Sequence, residues 1–123
     1  MAAPDLLDTY RWRARILLLM AADRADPQLA DQLGRLRAAD AGVRERQLVV
    51  LTALPDGTVH EASGAEIGHL PQGWRRGGSF QAMLIGKDGG EKARWTAPVD
   101  PQVIFADIDR MPMRRSEMGR QEH

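Results

Sequence analysis

Three stretches of this sequence hold side chains whose types and spacing could do chemistry. Lys87 and Asp88 lie inside Gly86-Lys87-Asp88-Gly89-Gly90, with Lys92 and Arg94 just beyond, and Asp109 precedes Arg114 and Arg115. Near the start, Arg11, Arg13 and Arg15 surround Trp12. Guanidinium forks pair with carboxylates and phosphates through parallel hydrogen bonds, and an ammonium adds a point charge. Arg15, Lys87, Asp88, Lys92, Arg94, Asp109, Arg114 and Arg115 are therefore the candidate residues for binding a protein or a small anionic ligand.

Each group also has a plainer use. A phosphate-binding loop needs a following helix whose N-terminus faces the phosphate, whereas Gly86 to Gly90 runs into Glu91 to Trp95, a strand pattern, so a β-turn is the favoured reading. Arg110, Arg114 and Arg115 suit the carbonyl end of a last helix. The arginines around Trp12 fit an alternation with arginine outward and Trp12 inward, and Arg75-Arg76 beside Trp74 repeats that pairing. His60 and His69, with Glu61 and Glu66, read as solvated loop residues without metal-ligand spacing. No serine stands at a nucleophile elbow, and Asp107 and Asp109 diverge on a helix. No catalytic residue, no metal site and no cofactor is assigned.

The elements that must position these residues follow from apolar patterning. Ile16 to Met20 is a continuous apolar block, as for a strand covered on both faces. Asp26-Pro27 starts a helix in which Leu29, Leu33 and Leu36 recur at helical spacing, with Gly42 as a stop. Leu48 to Leu54 is a second strand, ended by Pro55-Asp56-Gly57. Residues 58–79 read as a loop with at most a short helix around Gly64 to Gly68. Phe80 to Ile85 and Glu91 to Trp95 form a hairpin, and Pro98-Val99-Asp100-Pro101 opens a helix with Ile104, Phe105, Ile108 and Met111 on one face, ended or kinked at Pro112. Residues 116–123 read as a polar tail. The order is βαβ, loop, ββα: an α/β chain with a central mixed sheet of four strands and a reduced middle helix.

With 123 residues, one domain is expected, its core spanning about residues 12–115. Lysine plus arginine equals aspartate plus glutamate at 17 each, so no global positive field favours nucleic acid. The absence of cysteine removes thiol chemistry and disulfides. No apolar run approaches the roughly 20 residues that cross a bilayer, so no membrane insertion is expected. The start reads as cytoplasmic as written, or as periplasmic or secreted if Ala2 is a processed mature start.

Four motifs span nearly the whole chain: Trp12 with Arg13 and Arg15, Glu45-Arg46, Leu84 to Gly90 with Lys92 and Arg94, and Ile108 to Arg115 with Glu117 and Met118. Through them the chain resembles domain-of-unknown-function family 4174, itself similar to the P-DUDES group of thioredoxin-like modules. It implies a thioredoxin-like three-layer sandwich related to peroxiredoxins. It does not bring thiol chemistry, because the junction that holds the redox cysteine in such folds reads Ala21-Ala22-Asp23-Arg24-Ala25-Asp26-Pro27. The proline that thioredoxins place ahead of the third strand is missing too, with Gly77-Gly78-Ser79 there and Pro71 far upstream. The expectation is a non-catalytic thioredoxin-like binding module. The alternative is a peroxiredoxin-like enzyme working with a partner's thiol, or a chemistry carried by Asp23, Arg24 and Lys87.

Overall fold

The structure is a computed structural model that describes residues 5–70 and 79–121. Its centre is the strand β1 (Arg15–Met20), fully buried along its length because every residue from Ile16 to Met20 is apolar and both faces of the sheet are covered. β1 pairs in parallel with β2 (Leu48–Ala53) and antiparallel with β5 (Gln81–Ile85). Outward from β2 lie β3 (Thr58–Glu61) and β4 (Glu66–His69); outward from β5 lies β6 (Glu91–Trp95). The sheet thus has six strands in the order β4-β3-β2-β1-β5-β6.

Five helices accompany it among the described residues. α1 (Asp5–Asp8) precedes β1; α2 (Pro27–Ala38) and α3 (Asp40–Glu45) join β1 to β2; α4 (Pro101–Asp109) and α5 (Pro112–Gln121) follow β6. The period-two alternation of β1 divides the core. Leu17 and Leu19 face Leu29, Leu36, Val43, Ile104, Phe105 and Ile108 from α2, α3 and α4. Ile16, Leu18 and Met20 face Leu7 of α1, with Val59, Leu70 and Met83. Helix starts obey local chemistry, in which an aspartate side chain takes up a free amide and proline fills the first turn. Asp26 accepts from the Gln28 amide at 2.8 Å with Pro27 in that turn. Asp100 accepts from the Gln102 amide at 2.9 Å with Pro101 likewise.

Four expectations require correction. The sheet has six strands, not four, because residues 58–70 form a hairpin rather than a loop: Thr52 and Ala53 of β2 offer an unpaired edge, and His60 and Val59 take it. His60 is consequently buried in β3, whereas His69 is exposed. The first helix breaks into α2 and α3 at Ala39 rather than running to Gly42. The polar tail is helical: α5 runs from Pro112 to Gln121, so Pro112 both ends one helix and opens the next. Trp74, Arg75, Arg76, Pro71, Gly77 and Gly78 lie outside the described residues, as do Ala2 and the last two positions.

Between α2 and the loop before α4, a fully buried Gln32 completes the packing. Its amide nitrogen donates to the Val99 carbonyl at 3.0 Å and its oxygen accepts from the Val99 amide at 2.8 Å. Both ends of the buried side chain are thereby satisfied, as burial of an amide requires.

Candidate functional site

Odd-numbered positions of β1 face α4, and the first of them is Arg15. Burying a guanidinium at the start of an otherwise apolar strand requires partners. Arg15 is 0% exposed. Its partners are the Arg46 carbonyl, 2.9 Å from Nη1, and Glu117 of α5, whose two carboxylate oxygens each accept from one terminal nitrogen at 3.2 Å. Its Nε is buried with no hydrogen-bond partner among the described residues.

Lys87 reaches the same carboxylate. It is 8% exposed and sits in the turn after β5. Gly89 closes that turn with φ +87°, a conformation glycine adopts freely. The Gly86 amide clamps it by donating to the Gly90 carbonyl at 2.9 Å. From there Lys87 Nζ donates to Glu117 Oε2 at 2.6 Å and to Gln47 Oε1. Two of the three ammonium protons are thereby used, leaving one.

A second cluster adjoins the first. Arg46 grips Asp109 with a two-pronged pair at 3.1 and 3.0 Å while its guanidinium lies 4.3 Å from the centre of the Phe105 ring. Arg114, 2% exposed, donates to Asp109 at 3.2 Å and to Glu45 at 3.1 Å, and approaches Glu117 at 3.8 Å. Among the described residues, four cations (Arg15, Arg46, Lys87, Arg114) thus meet three carboxylates (Glu45, Asp109, Glu117), leaving one positive charge in excess. Burial raises the Glu117 carboxyl, but hydrogen bonds from Lys87 and Arg15 and their charges outweigh it and hold the group below its usual value. The same balance lowers Asp109: burial raises it, and Arg46 and Arg114 win.

The excess charge faces a pocket of about 380 Å³ bounded by Arg15, Lys87, Gly86, the side chains of Lys92 and Arg110, and the start of α5 at Pro112 and Met113. Asp88 and Asp107 also line it, but each is engaged: Asp88 accepts from Lys92 at 2.8 Å and Asp107 from Arg110. The hydrogen bond from Lys92 is the main reason the Asp88 carboxyl lies below its usual value.

Of the residues singled out in the sequence, Arg15, Lys87, Asp109 and Arg114 come together, and Asp88 and Lys92 stand at the pocket rim. Arg94 does not join them. It pairs with Glu91 at 2.8 Å and contacts Gln81 on the exposed face of the hairpin. Arg115 is exposed and outside the network. Two assignments are reversed. Trp12 is not inward: it is 62% exposed, because φ +68° places it in a turn where strand alternation does not apply, and Arg15 is the buried member of that segment. Arg114 does not complement the carbonyl end of the last helix; it lies in the first turn of α5, where it pairs with Asp109 and Glu45 and also donates to the Glu45 carbonyl at the end of α3 at 3.4 Å. Glu117, Arg46, Glu45 and Gln47 are site residues that the sequence reading does not single out. The first three do stand in the motifs that carry the family resemblance, which is the available signal.

The site also lies away from the junction that follows β1. Arg15 begins β1, whereas Ala21 to Pro27 follows its end. A strand rises about 3.3 Å per residue, so the length of β1 separates the two by roughly 17 Å. At that junction Asp23 accepts from the Ala25 amide at 2.7 Å and Asp26 caps α2, both structural tasks.

A mixed α/β protein without cysteine, with a buried charge cluster against the start of its last helix, is the class these features define. The chain belongs to the family described as Domain of unknown function (DUF4174), whose pattern matches residues 6–117. It is similar to the sushi repeat-containing protein SRPX2 of Rattus norvegicus and of Mus musculus, each 28% identical over 127 residues, covering 97% of this chain and 27% of the relative. The Bos taurus protein of the same name is 28% identical over 125 residues, covering 95% of the chain and 27% of the relative. The chain therefore spans about a quarter of the length of these relatives. Among the described residues no helix is long and apolar enough to cross a membrane.

Proposed function

We propose that the chain is a non-catalytic binding module of thioredoxin-like architecture that holds an anionic group, a carboxylate or phosphate, in the pocket over Arg15 and Lys87. The strand order β2-β1-β5-β6, with β1 and β2 parallel and β5 and β6 antiparallel, supports the architecture: it is the βαβ-ββα arrangement, to which β3 and β4 add a hairpin at one edge. A matched stretch that makes up about a quarter of longer relatives fits a module.

The observation that carries the binding reading is the uncompensated cation. A buried positive charge in excess of its carboxylates is costly, and an anion entering the pocket would restore the balance. One Lys87 proton has no acceptor among the described residues, and the α5 start adds the positive end of a helix dipole. Small-ligand sites commonly enclose about 300 to about 1000 Å³. This pocket, at about 380 Å³, falls within that range and has room for an anionic group together with the atoms that carry it. The alternative of peroxide chemistry with a partner's thiol gains nothing from this geometry, since the cluster is at the far end of β1 from Ala21 to Pro27.

The test is a two-dimensional amide NMR titration with inorganic phosphate and with acetate, against chloride at matched ionic strength. Saturable shifts confined to Gly86, Gly90, Met113 and Arg114 are expected. Shifts that match chloride, or that spread over the surface cations, would sink the reading.

A further inference from the structure

The pocket does not stand alone. On the other side of Lys87 and Met113 lies an open trench of about 970 Å³, sharing Lys87, Pro112 and Met113 with it and extending over Trp12, Gln47 and Glu117. Three large apolar side chains are exposed among the described residues, and two of them line this trench: Trp12 at 62% and Met113 at 39%. Tryptophan and methionine are both enriched where proteins bind, and here they line one hollow.

Backbone strain points to the same place. Trp12, at φ +68°, and Gln47, at φ +49°, are the non-glycine residues with positive φ among those described, and both touch Lys87. The Trp12 amide donates to the Lys87 carbonyl at 2.6 Å, and Gln47 accepts from the Lys87 ammonium. Such conformations are sparsely populated by non-glycine residues and cluster at ligand clamps. Here the strain presents the Trp12 ring to solvent while holding Lys87 inward.

The charges of the two hollows differ. In the trench, Arg44 and Lys87 are balanced by Glu45 and Glu117, whereas the pocket brings Arg15, Lys87, Lys92 and Arg110 against Asp88 and Asp107. An apolar side chain suits the first and an anion the second.

We propose that this face docks an extended segment of a partner protein, which lays an aromatic or aliphatic side chain on Trp12 and Met113 and delivers an adjacent Asp or Glu carboxylate to Lys87. The inference rests on the anion pocket of the preceding section and adds to it the occupant. A polyanion is the poorer fit: the chain has no net charge to attract nucleic acid or an anionic bilayer, and Glu45 and Glu117 flank the trench.

The experiment is selection of the intact chain against a random displayed peptide library, then calorimetry with the selected peptide made with blocked ends. Enriched sequences should pair an acid with a neighbouring aromatic or aliphatic residue. Replacing that acid by its amide should weaken binding roughly tenfold, and Trp12→Ala should do the same while its melting temperature and its response to inorganic phosphate stay unchanged. Enrichment of acid-free sequences, no enrichment, unaltered affinity in Trp12→Ala, or binding of oligothymidylate or phosphatidylserine vesicles by the same face would each overturn the docking proposal. Phosphate shifts at Gly86 and Gly90 without peptide selection would leave the pocket standing and remove the segment. Loss of both would remove the two together.

Discussion

Glu117 accepts from Lys87 and from both terminal nitrogens of Arg15, so a single carboxylate neutralises charge that is otherwise shut away from water. Removing one member of a buried pair strands the others, at about 3–5 kcal/mol. Glu117→Gln is therefore expected to lower urea stability at pH 7 by about 3 kcal/mol, near the low end because a neutral acceptor remains. A loss under about 1 kcal/mol would mean that water reaches Arg15. Acid should act through the same group. Its carboxyl and that of Asp109 are held below their ordinary values in the fold. Their stabilisation is therefore complete above the unfolded values of about 4.3 and about 3.9, and disappears as pH falls through the lower folded ones. Denaturation midpoints should stay level from neutrality to about pH 5 and drop below about pH 4, and Glu117→Gln should flatten that drop. Nothing in the neighbourhood of Arg15 in sequence announces its burial, since the carboxylate that permits it lies 102 positions away.

Helix α5 shows how an element can be held by charge rather than apolar area. Its sequence, Pro-Met-Arg-Arg-Ser-Glu-Met-Gly-Arg-Gln, offers little to bury, and it is fastened chiefly by Arg114 and Glu117. A chain stopped after Met111 is expected to lose about 3 kcal/mol or more, whereas a solvated tail would be removable at no cost; guanidinium melts decide between them. Helix α3 is positioned by a missing side chain. A Cβ on Gly42 would stand 2.5 Å from Phe105 Cε2, against a ring that is itself buried under Arg46. Gly42→Ala would gain about 1 kcal/mol of helix propensity but cost about 1–3 kcal/mol from overpacking, so a net loss is expected, and a stabilised variant would show that Phe105 can give way. The hairpin β3–β4 could not be read from residues 58–70, where Val59 and Ile67 alone are apolar and β-branched in its strands; its pairing with β2 forms it.

At the scale of the molecule, β1 lies between β2 and β5 and supplies both cores, so its amides should exchange with deuterium only through global unfolding, while those of the edge strand β4 exchange far sooner. Equal protection along the sheet would contradict that hierarchy. The sequence by itself determined what local rules govern: the apolar blocks of β1, β2 and β5, the proline-started helices with Asp26 and Asp100 as caps, the turn at Gly86 to Gly90, and, through the motifs around it, the family. It also removed thiol chemistry, a matter of composition alone. Only the tertiary structure decided that Arg15 is buried and Trp12 exposed, that Arg94 and Arg115 stand apart, and that Glu117 joins Arg15 to Lys87. Those outcomes depend on which charges meet across β1, the Gly86 to Gly90 turn and α5, and hydropathy and spacing record a residue's own preference rather than the partner that satisfies it.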